Sequence, residues 1–178
     1  MPITEKYLIK HFNNTLDLYS SEEKRYSSSW FMDFGNFGSE LFNSEKKNIY
    51  SITKKFKFWK WKMVFIIKDC SSDVSELISL NNRKTIYSVT VNQIIYNIKI
   101  HYKKKIAIFK NGDKIAEFNA AILDENQYQT IQLQLLDAKD LEVCFLLFSC
   151  LKIGETEQNS KVVLSSQKQL EINEEPWF

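Results

Sequence analysis

The segment with the clearest chemical character is the nonapeptide KKFKFWKWK, residues 54–62, in which five lysines are interleaved with four aromatic residues. Ammonium groups attract phosphates and carboxylates, and aromatic rings either stack on nucleic-acid bases or lie at the interface of a bilayer. The segment therefore indicates contact with an anionic lipid or with nucleic acid. A purely structural interpretation stays open, in which the rings are buried in a bent strand and the lysines are solvated.

The charge of the 178-residue chain is unevenly distributed, although the formal net charge is only +2. Residues 46–118 contain 16 basic and 5 acidic side chains, whereas the segments on either side are both net acidic. A basic central region favours an anionic partner. The candidate ligand-binding lysines are Lys54, Lys55, Lys60, Lys62, Lys103, Lys104 and Lys105. Because lysine also commonly protects exposed strand edges, a solvated strand face is the alternative for all of them.

The sequence contains no motif that is typical of an enzyme. Its two histidines, His11 and His101, lack the context of a catalytic triad, and His101 alternates onto the polar side of a strand, where a solvated side chain is expected. Asp69, Asp73 and Glu76 lack the glycine and the final glutamate of an EF-hand loop. We therefore expect a protein that is not an enzyme, with no catalytic residue, no metal site and no cofactor.

Cysteine usage and hydropathy favour a cytoplasmic location. The three cysteines, at positions 70, 144 and 150, are odd in number and show no CxxC spacing, which is typical of a reducing compartment. The first ten residues, MPITEKYLIK, lack the apolar region of a signal peptide. No apolar window reaches the length of about 20 residues that a membrane-spanning helix requires.

Most of the chain has the pattern of short antiparallel strands. Apolar and polar residues alternate through residues 48–68, 86–103 and 130–135, as in strands with one buried face. The apolar parity changes between Phe58 and Trp59, which predicts a bulge or bend there. Asn111-Gly112 predicts a type I′ hairpin. The serine-rich residues 20–29 are expected to form a loop, so that eight to ten strands can be assigned.

One strongly apolar helix is predicted after the strands, in DLEVCFLLFSCLKIG, residues 140–154. Its apolar residues cover every face, so it must be buried on all sides. Asp137, Asp140 and Glu142 suit the N-terminal end of a helix, and Gly154 suits its C-terminal stop. Antiparallel strands expose their edges unless the sheet closes on itself. A closed barrel around this helix satisfies both requirements.

Residues 50–69, YSITKKFKFWKWKMVFIIKD, resemble the opening motif of the tubby C-terminal-like fold, in its branch of LURP-one-related proteins and phospholipid scramblases. The matching positions are Tyr50, Ile52, Lys55, Phe56, Phe58, Trp59, Lys62 and Asp69. Gly112, Ile115 and Ala116 are similar to a hairpin of that family, and residues 136–151 are similar to its terminal helix. The resemblance implies a barrel of about twelve strands threaded by a C-terminal helix. Tubby proteins bind phosphoinositides, but the basic residues of that site cannot be matched here, so none is transferred.

These observations predict a mostly β fold, in which a closed antiparallel barrel of about twelve strands encloses a hydrophobic C-terminal helix. We expect one domain over residues 1–154, best supported over 48–154, and a C-terminal tail, 155–178, that is mobile or docked. The function expected is that of a binding or scaffolding domain that contacts anionic membrane lipid or a protein partner. Nucleic-acid binding through residues 54–62 is the alternative.

Overall fold

The computed structural model of the protein describes residues 4–101, 105–119 and 129–155. It contains twelve strands: β1 Glu5–Phe12, β2 Thr15–Ser20, β3 Glu23–Asp33, β4 Asn36–Asn43, β5 Asn48–Lys57, β6 Lys62–Asp69, β7 Val74–Ser79, β8 Ile86–Val91, β9 Ile94–Ile100, β10 Lys105–Lys110, β11 Asp113–Asn119 and β12 Gln129–Leu135. Short 3₁₀ turns lie at Phe58–Lys60 and Ala138–Asp140, and one helix, α1, spans Leu141–Lys152.

The twelve strands form a closed antiparallel barrel in which each strand pairs with its neighbours in sequence. The ring closes where β1 pairs with β12, for example through Tyr7 opposite Leu133 and Ile9 opposite Ile131. Closure gives each of these twelve strands two neighbours, although β7 and β8 pair only through Ile78–Ser88 and Ser79–Tyr87. The predicted barrel of about twelve strands is confirmed.

Helix α1 fills the interior of the barrel, as its apolar sequence predicted. Phe145, Leu147 and Phe148 are completely inaccessible to solvent. The Phe148 ring stacks on the ring of Phe118 from β11, with the centroids 4.4 Å apart. Because strands surround the helix on every side, no polar face is needed. The helix ends two residues before Gly154, whose φ of +86° is the conformation expected of a terminating glycine.

Asp137 and Asp140, which were predicted to cap α1, make other interactions. Asp137 caps the 3₁₀ turn rather than α1, because its carboxylate accepts a hydrogen bond from the backbone N–H of Lys139 at 3.0 Å. The side chain of Asp140 makes no capping bond. It forms an ion pair with Lys110 of β10, with 2.7 Å between the charged atoms.

Glu142, in the first turn of α1, is tied to two strands of the barrel wall. Its carboxylate accepts hydrogen bonds from the hydroxyl of Tyr26 on β3, at 3.2 Å, and from that of Tyr50 on β5, at 2.9 Å. Burial and this hydrogen bond raise the pKa of Tyr50, and burial and the charge of Glu142 raise the pKa of Tyr26 to about 12. The Glu142 carboxylate therefore fixes the start of α1 relative to β3 and β5.

The prediction that residues 20–29 form a loop is wrong, because β3 begins at Glu23. The strand places Tyr26, Ser28 and Trp30 toward the interior, and Ser28 is only 3% exposed. Its hydroxyl oxygen lies 3.0 Å from that of Ser39 on β4, so the buried polar group is satisfied. The serine-rich sequence does not show the apolar alternation of a strand, because the inward hydroxyl of Ser28 on β3 bonds to that of Ser39 on β4.

His101 was expected to be solvated and is instead buried, with 8% of its surface exposed. By strand alternation it follows the inward-facing Ile100 and belongs to the outer face. The outward Ala107 and Glu117 on neighbouring strands are also buried, each at 1%. Outward-facing residues of the barrel wall are therefore buried here, and alternation alone does not reveal solvent exposure.

Candidate functional site

One end of the barrel carries the candidate site, and we call it the aromatic end. Because successive strands run in opposite directions, the β1–β2, β3–β4, β5–β6 and β7–β8 connections all lie at this end. Helix α1 begins at the other end and finishes here. The backbone carbonyl of Glu155 accepts a hydrogen bond from the indole N–H of Trp30 at 3.0 Å, and that of Ile153 accepts one from Lys54 at 2.7 Å.

The β5–β6 connection is an aromatic tip built on a single 3₁₀ turn, which confirms the bend predicted between Phe58 and Trp59. Phe58, Trp59 and Trp61 are 70%, 96% and 66% exposed. Phe58 and Trp61 make edge-to-face contacts with Phe56, at centroid distances of 5.0 and 6.1 Å. The idea that these rings are buried in a bent strand is therefore wrong: Trp59 projects into solvent from a base of packed aromatic residues.

The neighbouring β3–β4 connection, formed by Phe34 and Gly35, carries a second aromatic tip. Phe34 stands at its apex and is 99% exposed. Phe34 and Gly35 both have positive φ, of 45° and 80°, as in a two-residue hairpin turn of type I′. That turn normally contains Asn or Gly, so an exposed Phe is unusual there. In the sequence, a phenylalanine directly before a glycine, at a position where a hairpin turn usually has Asn or Gly, could have indicated this tip.

Exposed hydrophobic side chains are concentrated at this end. Within the described part of the chain, ten large hydrophobic residues are exposed, and eight of them lie in its turns or within three residues of them. These eight are Phe12, Phe31, Met32, Phe34, Phe58, Trp59, Trp61 and Leu80. Scattered exposed hydrophobic residues are normal on soluble proteins, but a cluster marks an interaction surface.

The predicted lysines of β5 and β6 do not form a single flat face. Lys55 and Lys60 are exposed, and Lys62 is partly exposed beside the turn. Lys54 points into the barrel, where its ammonium group donates to the Ile153 carbonyl. Burial lowers the pKa of Lys54, and the nearby Glu155 opposes this shift. Lys54 is thus engaged in holding the end of α1, whereas the other three surround the aromatic tip.

The second group of predicted lysines is only partly described. Lys103 and Lys104 lie outside the described residues. Lys105 begins β10, which lies four strands around the ring from β6 and five from β5, the two strands of the aromatic tip. Its ammonium group lies 4.0 Å from the buried carboxylate of Glu117, so Lys105 is part of a charge cluster on the barrel wall.

A cleft of about 550 Å³ separates the two aromatic tips. Its walls include the apolar side chains of Phe37, Phe56 and Met63, and its floor includes Lys54 and Gly154. The outer rim carries Lys55. The aromatic end therefore combines exposed rings, an apolar recess and a surrounding positive charge.

No group of three or more histidine, cysteine, aspartate or glutamate side chains is arranged to hold a metal ion within residues 4–101, 105–119 and 129–155. Over the same residues, no helix has the length and apolar character needed to cross a membrane. Comparisons with protein-family models, with curated proteins and with solved structures found no match to this chain.

Proposed function

We propose that this protein is a non-enzymatic binding domain that attaches through its aromatic end to membranes containing anionic phospholipids. The observation that carries the proposal is the β5–β6 tip, where exposed Trp59 and Phe58 are surrounded by Lys55, Lys57, Lys60 and Lys62. Peripheral membrane proteins combine these two components, since lysines are attracted to lipid phosphates and aromatic rings are stable at the interface.

The magnitude of the electrostatic term supports binding that can be measured. Each lysine close to an anionic membrane contributes about 1 kcal/mol, so Lys55, Lys60 and Lys62 together contribute about 3 kcal/mol, while Glu76 offsets part of the charge of Lys57. That is roughly a hundredfold in the binding constant. Lysines spread around the barrel would be screened beyond about 8 Å at physiological salt, whereas these three lie within eight consecutive residues.

We also propose kinship with the tubby C-terminal-like fold and a cytoplasmic location. A twelve-stranded barrel around a C-terminal helix is the architecture that the sequence resemblance implied. Two of the matching positions, Phe58 and Trp59, form the exposed tip. A cytoplasmic location would place the domain beside a leaflet that carries anionic lipid.

Nucleic acid is a weaker candidate for the partner. Single strands are normally bound along a continuous positive groove with rings spaced to stack on successive bases. Here Phe34 and Trp59 stand at the apices of separate hairpins and project from the end of the barrel. That geometry suits a surface that both tips can meet at once.

The test is co-sedimentation with vesicles of phosphatidylcholine alone and with 30% phosphatidylserine, at low and at physiological salt. We expect binding only to the anionic vesicles, and weaker binding by a Lys55→Glu/Lys60→Glu/Lys62→Glu variant. The matched control is Lys46→Glu/Lys47→Glu/Lys68→Glu, which changes the net charge equally at the opposite end of the barrel. Retention of an oligonucleotide without vesicle binding would assign the surface to nucleic acid instead. Equal loss in both variants would show that only total charge matters.

A further inference from the structure

Each aromatic tip carries an almost fully exposed ring, which electrostatic attraction to a membrane surface does not require. Phe34 and Trp59 are 99% and 96% exposed, which is close to the value for an isolated side chain. Both belong to short turns in which a polar residue would be accommodated equally well. Exposing two large rings to water has no benefit for the folded barrel itself.

Backbone geometry at the two tips indicates that the aromatic residues are retained at a cost. Phe34 has a φ of 45° and Trp61, the last residue of the β5–β6 turn, has a φ of 50°. Bulky residues are disfavoured in this left-handed region, where Asn, Asp and Gly are the usual choices. Positive φ also occurs at Ser21, Lys46, Ser72, Lys84 and Gln93 in other turns, so the exposure of the rings, rather than backbone strain, distinguishes the two tips.

The two tips are placed so that they can enter one surface together. Strand β4 pairs directly with β5, with Phe37 opposite Lys54, so the two hairpins are adjacent in the ring. Strands are spaced by about 4.8 Å, which separates the two hairpins by roughly 10 Å. Both turns are at the same end of the barrel.

Charged side chains lie one step behind the aromatic rings, at the last pair of each hairpin ladder. Lys57 and Lys62 form the last pair of the β5–β6 ladder and stand behind Trp59. With Trp59 among the upper acyl chains, these two ammonium groups reach the level of the lipid phosphates. At the other tip the last ladder pair is Asp33 and Asn36, so the ring of Phe34 is the component that favours the membrane.

From these relations we propose that Phe34 and Trp59 insert together below the headgroups of an anionic bilayer and anchor the domain at two points. The inference deepens the membrane binding proposed above and rests on it. Tryptophan is stable at the membrane interface, and phenylalanine is stable slightly deeper. Lysines then set the preference for anionic lipid, whereas the two rings supply a part of the affinity that salt does not screen.

The protein provides its own control for measuring insertion. Cys70 is exposed and lies in the β6–β7 connection, at the opposite end of the barrel, whereas Cys144 and Cys150 are buried. An environment-sensitive fluorophore on Cys70 of the wild-type chain therefore reports on the end that should stay in water. Combining Cys70→Ser with Phe34→Cys or with Trp59→Cys places the same label on each tip and leaves the other ring intact.

We expect both tip labels to shift to shorter wavelength on vesicles with 30% phosphatidylserine and to be quenched by lipids with a nitroxide near the top of the acyl chain. The Cys70 label should do neither. In unlabelled protein, Phe34→Ser/Trp59→Ser should weaken binding at physiological salt at least tenfold, without lowering the thermal unfolding midpoint.

Three outcomes would overturn the insertion. Vesicle binding with no shift and no quenching of either tip label would leave a purely electrostatic attachment, so that the proposed function stands without the inference. Quenching of the Cys70 label instead would show that the other end enters the membrane. Failure of the wild type to bind anionic vesicles at low salt would remove the proposed function and the inference together.

Discussion

Lys57 and Lys62 lie directly opposite each other as the last pair of the β5–β6 ladder. Like charges in this position destabilise a hairpin, because the two side chains project from the same face of the sheet. Lys57 is compensated by Glu76, 3.5 Å away, but this pair is exposed and screened by solvent. A layer of lipid phosphates would remove the repulsion. The lysine pair therefore destabilises the free hairpin but favours binding to an anionic membrane.

Replacing Lys62 by Glu should therefore stabilise the barrel and weaken its attachment to membranes. An opposite-charge pair with Lys57 is expected to add roughly 0.2–1 kcal/mol to the free energy of unfolding. Urea unfolding and vesicle co-sedimentation measure the two effects on the same sample. Lys68→Glu, on the outer face of the same strand but near its other end, is the control and should leave vesicle binding unchanged. A Lys62→Glu protein that binds as the wild type does would contradict the assignment.

Phe34→Asn should also separate stability from binding. Asparagine is preferred at the left-handed first position of a type I′ turn, so relief of strain should stabilise the protein by up to about 1 kcal/mol. For a domain of this size that corresponds to a rise of roughly 2–4 °C in Tm. Binding to anionic vesicles should fall at the same time. Calorimetry that finds a lower Tm would show that the Phe34 ring has a structural partner.

Lys54 and Lys55 are adjacent in sequence but should respond in opposite ways to replacement by methionine. Lys54→Met removes the donor to the Ile153 carbonyl and should cost about 1–2 kcal/mol of stability with little effect on vesicle binding. Lys55→Met removes an exposed charge and should reduce binding without changing stability. Chemical denaturation and co-sedimentation of the two variants would test this division, and similar behaviour of both would refute it.

The packing of α1 predicts which aromatic residues are structural. Phe145 is completely buried and stacks against Tyr26 at a centroid distance of 6.1 Å, so Phe145→Ala should cost roughly 3–5 kcal/mol. Trp59→Ala removes a larger ring from an exposed site and should change the free energy of unfolding by less than about 0.5 kcal/mol. Urea unfolding curves of the two variants provide the comparison. A small loss for Phe145→Ala would contradict the enclosed helix.

The tyrosines bonded to Glu142 should make the protein sensitive to alkaline conditions. Burial and the charge of Glu142 raise the pKa of Tyr26 from 10.0 to about 12, and burial raises that of Tyr50 as well. A raised pKa in the folded state means that the stability is fully present below about pH 10 and is lost as the pH rises toward 12. Unfolding midpoints between pH 8 and pH 12 should show this decline, and Tyr50→Phe should make it shallower. A wild-type curve that is flat over this range would exclude the effect.

The architecture was predictable because one fold satisfies both of the patterns in the sequence, the alternating strands and the apolar helix. Alternation in residues 48–68, 86–103 and 130–135 required a sheet with one buried face, and the run from Val143 to Leu151 required burial on every side. A closed barrel around a helix satisfies both. Strand β3 escaped this reasoning because Ser28 replaces an apolar residue with a hydroxyl whose partner, Ser39, lies on another strand.

The candidate site was predictable in its chemistry and not in its geometry. Alternation assigns residues to a face of a sheet, but Phe58 and Trp59 belong to a turn, where alternation gives no direction. Lys54 and Lys55 are identical as charges, and only the position of the helix end makes one of them internal. Phe34 was overlooked because an isolated aromatic residue in a turn has no periodic context, and its backbone strain exists only in three dimensions.

Closure of the ring by the first and last strands has a kinetic consequence. Tyr7 and Leu133 are 126 positions apart, and the helix that fills the interior follows β12 directly. Neither the hydrogen-bonded wall nor its packed centre can be completed until the end of this region has left the ribosome. Until then the nascent sheet has open edges that can pair with other chains. Because the β1–β12 pairing joins such distant positions, closure should be the slow step of refolding, on the scale of ~10⁻³ to 1 s or longer. A chaperone that shields β1 until β12 arrives would therefore increase the yield of folded protein.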